Sequence, residues 1–269
     1  MPLVVCPTPI GNLEDVTLRV LHELGEANLV LCEDTRRTRI LLDRHGVRAK
    51  LLSYHRHNEA QRVKEALPRL EAGERIALAS DAGLPALNDP GARLIAAALA
   101  RGLEVIVLPG PSAVETALVA SGLVGDRYAF AGYLPRQARA LSRFWKETAA
   151  WGGPVVAFES PRRLPTTLAS LAAESPDRQV AVCRELTKRF EEVVRGPVRE
   201  VAERFREAPK GEVTLVIGPA PHGGAGADEE ASFAAVAELV AAGIPRRRAA
   251  DLVAKLTGVR RNRLYRSSL

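Results

Sequence analysis

The chain has 269 residues, 46% hydrophobic and 26% charged, with a net charge of +6 and a pI near 9.5. That length suits one large or two medium domains, and the composition is globular rather than disordered or collagenous. No apolar stretch reaches the roughly 18 residues that a bilayer helix needs, and no signal peptide is visible before Pro7-Thr8-Pro9. Cys6, Cys32 and Cys183 are far apart and odd in number, which fits neither a disulfide framework nor a zinc site. They are expected to be buried, reduced thiols of a cytoplasmic protein.

Short apolar runs alternate with helix-period segments from the first residues. Leu3–Cys6, Leu29–Cys32, Leu51–Tyr54, Ile76–Ala79 and Val105–Leu108 read as strands. Val16–Leu24, Thr35–Arg44, Glu59–Glu71 and Ala92–Ala100 read as amphipathic helices between them. A helix in every crossover predicts a parallel sheet, and uniformly apolar strands predict cover on both faces. These elements make an N-terminal α/β domain over 1–110.

A second α/β domain is expected over 111–218. Its helices are Ser112–Ala120, Ala138–Ala150 and Arg162–Ala173, and its strands Tyr128–Tyr133, Val155–Phe158, Gln179–Cys183, Glu192–Arg195 and Val213–Ile217. The last strands have too few residues between them for crossover helices, so this sheet is expected to be mixed. Residues 219–228 form a Pro/Gly linker. A helical tail follows over 229–269: Glu229–Ala242, Arg246–Leu256, the turn Thr257-Gly258-Val259, and Arg260–Ser268. Helix, short turn, helix is the outline of a helix-turn-helix. Over 246–269, Arg246, Arg247, Arg248, Lys255, Arg260, Arg261, Arg263 and Arg266 are opposed only by Asp251. That asymmetry favours contact with nucleic acid over a solvated appendage.

In open α/β sheets, ligands bind beyond the carboxyl ends of the strands. All five N-terminal strands run into loops rich in glycine, proline or charge: Pro7–Asn12, Glu33–Arg37, Tyr54–Glu59, Ser80–Pro85 and Pro109–Ala113. Five such loops on one sheet edge point to a site. It is not an ordinary dinucleotide or nucleoside triphosphate site, because no G-x-G-x-x-G follows the first strand and no Walker sequence occurs.

Pro7-Thr8-Pro9-Ile10-Gly11-Asn12-Leu13-Glu14-Asp15, Glu33-Asp34-Thr35-Arg36, Ser80-Asp81-Ala82-Gly83, Asp89-Pro90-Gly91 and Pro109-Gly110-Pro111-Ser112-Ala113 resemble the ribosomal RNA small subunit methyltransferase I family. So do Glu159-Ser160-Pro161-Arg162-Arg163, the run from Arg184 to Glu192, and Lys210-Gly211-Glu212. The resemblance spans essentially the whole chain. It departs at Leu84 and Asn88, where Thr and Ser would fit the family pattern. The family lies in the tetrapyrrole methylase superfamily, the class III S-adenosylmethionine-dependent methyltransferases. The resemblance implies two α/β domains of that type, a parallel sheet followed by a mixed one, with a small helical basic tail. It also implies a homodimer and methylation of the 2′-hydroxyl of cytidine 1402 of 16S ribosomal RNA in the small subunit.

S-adenosylmethionine, leaving as S-adenosylhomocysteine, is then expected in a cleft between the domains. Ile10 and Gly11 would border it, and Ala79, Ser80, Asp81, Ala82, Ser112 and Ala113 would contact it. Phe158, Leu186 and Thr214 would close it from the second domain. Asp81 offers an acceptor for the cofactor ammonium, though an Asp before Ala-Gly also makes a plain turn. Ser112 also suits a helix cap, and Phe158 a core position.

A ribose hydroxyl reacts once its proton has an acceptor. Asp34, Glu33 and His55 are the candidate bases at strand ends, with His57 and Glu159 also in reach of such loops; the sequence does not choose among them. Arg36, Arg162, Lys188 and Arg189, with Arg246, Arg260, Arg261 and Arg263 of the tail, are candidate RNA contacts. No metal is expected. A tetrapyrrole-precursor C-methyltransferase and a non-catalytic RNA-binding or ribosome-assembly module remain as alternatives.

Overall fold

The computed structural model describes residues 2–221, 229–257, 259 and 261–267. The first sheet takes β1 (Leu3–Cys6), β2 (Leu29–Cys32), β3 (Leu51–Ser53), β4 (Ile76–Ala79) and β5 (Val105–Val107) in the order β3-β2-β4-β1-β5, all parallel. Helices α1 (Leu18–Glu26), α2 (Thr35–Arg44), α3 (Glu59–Glu71) and α4 (Ala92–Ala100) make the crossovers. Successive strand residues face opposite sides. Leu3, Leu29, Leu31, Ile76 and Leu78 pack with Val63, Leu67 and Leu94 of α3 and α4. Val4, Cys6, Val30, Cys32, Ala77 and Ala79 pack with Val20, Leu24 and Leu42 of α1 and α2. That double cover is why these strands are apolar throughout rather than alternating.

The second sheet holds β6 (Ala129–Tyr133), β7 (Val155–Glu159), β8 (Gln179–Arg184), β9 (Glu192–Pro197) and β10 (Val213–Ile217) in the order β6-β7-β10-β8-β9. Only β6 and β7 pair parallel; the other pairs are antiparallel, so the sheet is mixed as expected. Helix α5 (Ala113–Ser121) covers one face. Helices α6 (Ala138–Ala150), α7 (Leu164–Glu174) and α8 (Val198–Arg204) cover the other. Helix α8 has no counterpart in the sequence reading: at seven residues it is too short to show a periodicity, yet it buries Val198 and Val201. Where the chain leaves β10, the buried Arg178 donates to the Gly218 carbonyl at 2.8 Å and to Thr148.

Other differences from expectation have local causes. Helix α1 begins at Leu18 because the Thr17 hydroxyl caps it, accepting from the Val20 N–H at 3.1 Å. The residues before it form a short 3-10 turn, Leu13–Asp15, capped by Asn12. Helix α7 begins at Leu164, with a proline in its first turn. The tail holds α9 (Glu229–Ala241), α10 (Arg246–Thr257) and α11 (Arg261–Ser267), which share a core of Val236, Ala249, Ala250, Val253 and Leu264. Gly258 and Arg260, most of the linker and the end of the last expected helix lie outside the described residues. The three cysteines are buried and unbridged, and burial pushes the Cys6 thiol up to about 12. Among the described residues no helix is long and apolar enough to cross a membrane.

Candidate active site

The loops after β1 and β4 are stitched together. Thr8 and Gly83 exchange two backbone hydrogen bonds of 2.9 Å, a one-residue antiparallel bridge beyond two parallel strands. The Thr8 hydroxyl donates to the Ser80 carbonyl at 2.9 Å, and the Ser80 hydroxyl to the Gly83 carbonyl at 3.1 Å. Gly83 sits at φ 76, a conformation open to glycine at little cost.

The β1 loop then runs against the second unit. Ile10 packs in a core with Val114, Leu118, Ala181 and Leu186, so one side chain from the first unit completes the core of the other. The Asn12 N–H donates to the Thr187 hydroxyl at 2.9 Å. Gly11 between them has no room for a side chain: a Cβ there would stand 2.5 Å from Lys188 Cγ and 2.9 Å from the Leu186 carbonyl oxygen. The facing loop carries left-handed backbone at Glu185 and Thr187 (φ 52 and 64). It is held by Lys188, whose ammonium lies 2.9 Å from both Glu185 and Glu212.

Between the units lies a cavity of about 590 Å³. Ile10, Ala113, Phe130, Phe158 and Thr214 give it apolar walls, and Glu33, Asp81 and Asp89 give it carboxylates, with Arg37 and Arg56 also lining it. An adjoining pocket of about 260 Å³ shares Ile10, Arg37, Asp81 and Ala82 and adds Gly11 and Ser80.

Asp81 ties two strand ends together, because its Oδ1 accepts the Asp34 N–H at 2.8 Å and its Oδ2 lies 3.6 Å from Arg37. Burial, then the neighbouring Glu33 and Asp81 charges, pushes Asp89 up to about 6. Burial and Asp81 raise Glu33 as well. Two half-buried carboxylates whose proton affinity is raised, with the Asp81 carboxylate beside them, mark a place where a cation is welcome.

The expected site residues divide by position. Ile10, Asp81, Ala82, Ser112, Ala113, Phe158 and Thr214 line the larger cavity; Gly11 and Ser80 line the adjoining one. Ala79 is buried in β4, and Leu186 in the core behind Ile10. The Ser112 side chain makes no cap and donates instead to Glu115.

Of the candidate bases, Glu33 lines the cavity. Asp34 is the cap of α2, accepting the Arg36 N–H at 2.9 Å and gripping the Arg36 guanidinium at 3.1 and 2.8 Å. Those bonds from Arg36 hold its carboxyl down at about 2, which makes it a weak proton acceptor. His55 is not among the lining residues; its Nε2 lies 3.3 Å from the Asn58 amide, and its buried Nδ1 meets no hydrogen-bond partner among the described residues. Glu159 lines the cavity but is taken up by the Ser160 N–H and the Thr167 hydroxyl, both at 2.6 Å, and by Arg163 at 3.4 Å.

The candidate RNA contacts are scattered. Arg36 is 89% exposed beside Asp34, Arg162 is exposed on the turn before α7, and Arg189 lies over the exposed Phe190 ring at 5.6 Å. Lys188 is committed to its two carboxylates. In the tail Arg246 is half-buried, Arg263 is exposed, Arg261 pairs with Asp251, and Arg260 lies outside the described residues.

Sequence reasoning missed Asp89, Arg37, Arg56, Phe130 and Tyr133. Asp89-Pro90-Gly91 was visible as a motif, but only the fold turns its carboxylate toward Glu33. Leu84 and Asn88, where the chain departs from the family pattern, both line the cavity. Asn88 takes φ 64, which Asn tolerates better than most residues. Among the described residues no group of three or more His, Cys, Asp or Glu side chains is placed to hold a metal ion.

Comparison with known proteins adds the following. The model for Tetrapyrrole (Corrin/Porphyrin) Methylases matches residues 2–202, and that for the RsmI C-terminal HTH domain matches 227–269. Ribosomal RNA small subunit methyltransferase I of Mesorhizobium japonicum is 43% identical, over 99% of this chain and 91% of that one. The protein of that name from Escherichia coli O157:H7 is 38% identical, over 99% and 94%. Among solved structures, a diphthine synthase matches with a TM-score of 0.65 at 14% identity, over 81% of this chain and 90% of that one. The Thermus thermophilus uroporphyrin-III C-methyl transferase complexed with S-adenyl homocysteine matches at 0.58 and 19% identity, over 81% and 97%. At such identities these two likenesses concern the fold alone.

Proposed function

The chain belongs to the ribosomal RNA small subunit methyltransferase I family of the tetrapyrrole methylases, and from that premise we propose that it methylates small-subunit ribosomal RNA with S-adenosylmethionine. The acceptor in this reading is the ribose 2′-hydroxyl of cytidine 1402 of 16S RNA. The observation that carries it is the cavity between the two sheets, apolar on one side and carboxylate-rich on the other.

The residues fit the cofactor. The volume falls within the range of about 300–1,000 Å³ usual for small-molecule sites. Burial, and after it the negative charge the cavity's carboxylates put on one another, raises Asp89 and Glu33, and a ligand cationic at sulfur and ammonium relieves that charge. Ile10, Ala113, Phe158 and Thr214 would hold its adenosine, and the Ser80–Ala82 and Ser112 loops its polar end. When bound, it supplies a methyl group already activated by the positive sulfur.

The chain's part is to align the acceptor and take its proton; alignment alone supplies much of such an acceleration. Glu33 is the acceptor we assign, since it lines the cavity and its proton affinity is raised, whereas Asp34 is spent as a cap. The Arg-rich tail adds affinity for RNA, and the protein acts in the cytoplasm as a homodimer.

The test is single-turnover transfer from tritiated S-adenosylmethionine to 30S subunits that lack this methyl group, kept in magnesium, with free 16S RNA in parallel. Label recovered as 2′-O-methylcytidine at the target position is the expected result. Label on a base carbon or nitrogen, or none from protein that S-adenosylhomocysteine does stabilise, would overturn the assignment.

A further inference from the structure

Arg56, Asn88, Gly132 and Tyr133 join the two sheets across the cavity. Arg56, in the loop after β3, donates from Nη2 to the Asn88 carbonyl at 2.6 Å. The Asn88 side chain lies against β6, where a Cβ on Gly132 would stand 2.9 Å from its Oδ1. Gly132 takes φ 64 there. The next residue, Tyr133, is 64% exposed, although its ring meets Phe158 edge-on at 5.6 Å. Tyr133, Asn88, Arg56 and Arg37 all line the cavity.

The chemistry of that rim is selective. Arg37 and Arg56 are the two cations lining the cavity among the described residues. Its carboxylates repel a phosphate everywhere else: Glu33 and Asp89 directly, and Asp81, Glu159 and Glu212 less because each already has a partner, Asp81 in Arg37 itself at 3.6 Å. An anion entering this cleft is therefore confined to the two guanidiniums. Tyr133 offers a π face beside them, anchored on one side by Phe158 and open elsewhere. Burial, then Glu212 and Asp89, raises the Tyr133 phenol, so the ring stays neutral and adds no repulsion. Glu33, the proton acceptor assigned above, lines the same cavity. A base still paired in a helix cannot bring its ribose into a cavity of about 590 Å³; a nucleotide turned out of its stack can.

We propose that this rim takes one unstacked RNA nucleotide, its base against Tyr133 and its flanking phosphates on Arg37 and Arg56, with the ribose presented to Glu33. The inference rests on the RNA methyltransferase reading and names the subsite that reading lacks.

Full-length Tyr133→Ala, Tyr133→Phe, Arg56→Gln and Arg37→Gln proteins test it, with transfer to 30S subunits and S-adenosylhomocysteine affinity measured on each. Tyr133→Ala should lower kcat/KM on the order of 10- to 100-fold, the usual range for one lost base stack. Its S-adenosylhomocysteine affinity should stay within about twofold of the parent, and Tyr133→Phe should restore most of the lost rate. Each arginine variant should shallow the salt dependence of RNA binding by about 0.7 in log–log slope, one single-strand phosphate contact. If Tyr133→Ala fails to fold, Tyr133→Leu replaces it under the same criteria. Loss of S-adenosylhomocysteine affinity in proportion to rate would make Tyr133 a cofactor wall and overturn the subsite. So would unchanged salt slopes in both arginine variants. A parent protein that transfers nothing to RNA sinks the parent reading instead, which separates the two failures.

Discussion

Asp89→Asn tests whether the cavity stores electrostatic strain for a cationic ligand. Burial beside Glu33 and Asp81 moves the Asp89 carboxyl from an ordinary 3.8 to about 6. The proton is thus bound more tightly in the folded chain than in the unfolded one. The stability this contributes is fully present below 3.8 and is lost as pH rises through about 6. At about 1.36 kcal/mol per pKa unit the ceiling is about 3 kcal/mol. Asp89 is only half-buried, and water screening brings the expected value nearer ~1 kcal/mol. Asparagine cannot ionise, so it keeps at neutral pH what aspartate loses. Urea titrations followed by circular dichroism should show the variant more stable by ~1 kcal/mol at pH 7.5, or about 2–4 °C in Tm. The gain should shrink toward zero near pH 4. The same variant should bind S-adenosylmethionine more weakly, because a carboxylate that faces the cation is gone. An equal gain at both pH values, or none at pH 7.5, would refute the electrostatic reasoning.

Gly11→Ala should cost about 1–3 kcal/mol, the usual range for overpacking, because the new Cβ meets the Leu186 carbonyl oxygen and a Lys188 stem pinned by two ion pairs; calorimetry should also show weaker S-adenosylhomocysteine binding, since Ile10 moves with it. Glu33→Gln should lower the single-turnover rate on the order of 100-fold or more while sparing S-adenosylhomocysteine affinity. Asp34→Asn should instead act on stability: the depressed Asp34 carboxyl contributes stability present above its ordinary 3.8 and lost as pH falls toward about 2, so melts of parent and variant should converge in acid. Truncation after Pro221 should weaken RNA binding and flatten its salt dependence, with S-adenosylhomocysteine affinity unchanged, as measured by filter binding and calorimetry on the same preparation.

Sequence alone determined the elements and the edge of the sheet that bears the site. Strands buried on both faces must be apolar throughout, and crossover helices must be amphipathic, so β1, β2, β4, α2, α3, α4 and α6 carry their boundaries in local pattern. The glycine- and proline-rich strand ends were equally legible, because close backbone approach needs those residues wherever the partner comes from. The family resemblance grouped eleven residues in one cleft; Ile10, Asp81, Ala82, Ser112, Ala113, Phe158 and Thr214 line one cavity, Gly11 and Ser80 the adjoining pocket, and Ala79 and Leu186 neither. What local pattern could not carry was the part each side chain plays. Glu33 and Asp34 are neighbours of like chemistry. Helix α2 takes Asp34 as its cap and leaves Glu33 facing the cavity, and that follows from backbone direction at a single residue. Asp89 acquires its proton affinity, and Tyr133 and Arg56 their shared rim, only when loops far apart in sequence are brought together by two sheets packing edge to loop. Charge interaction and desolvation depend on distances through space, and the tertiary structure alone sets those distances.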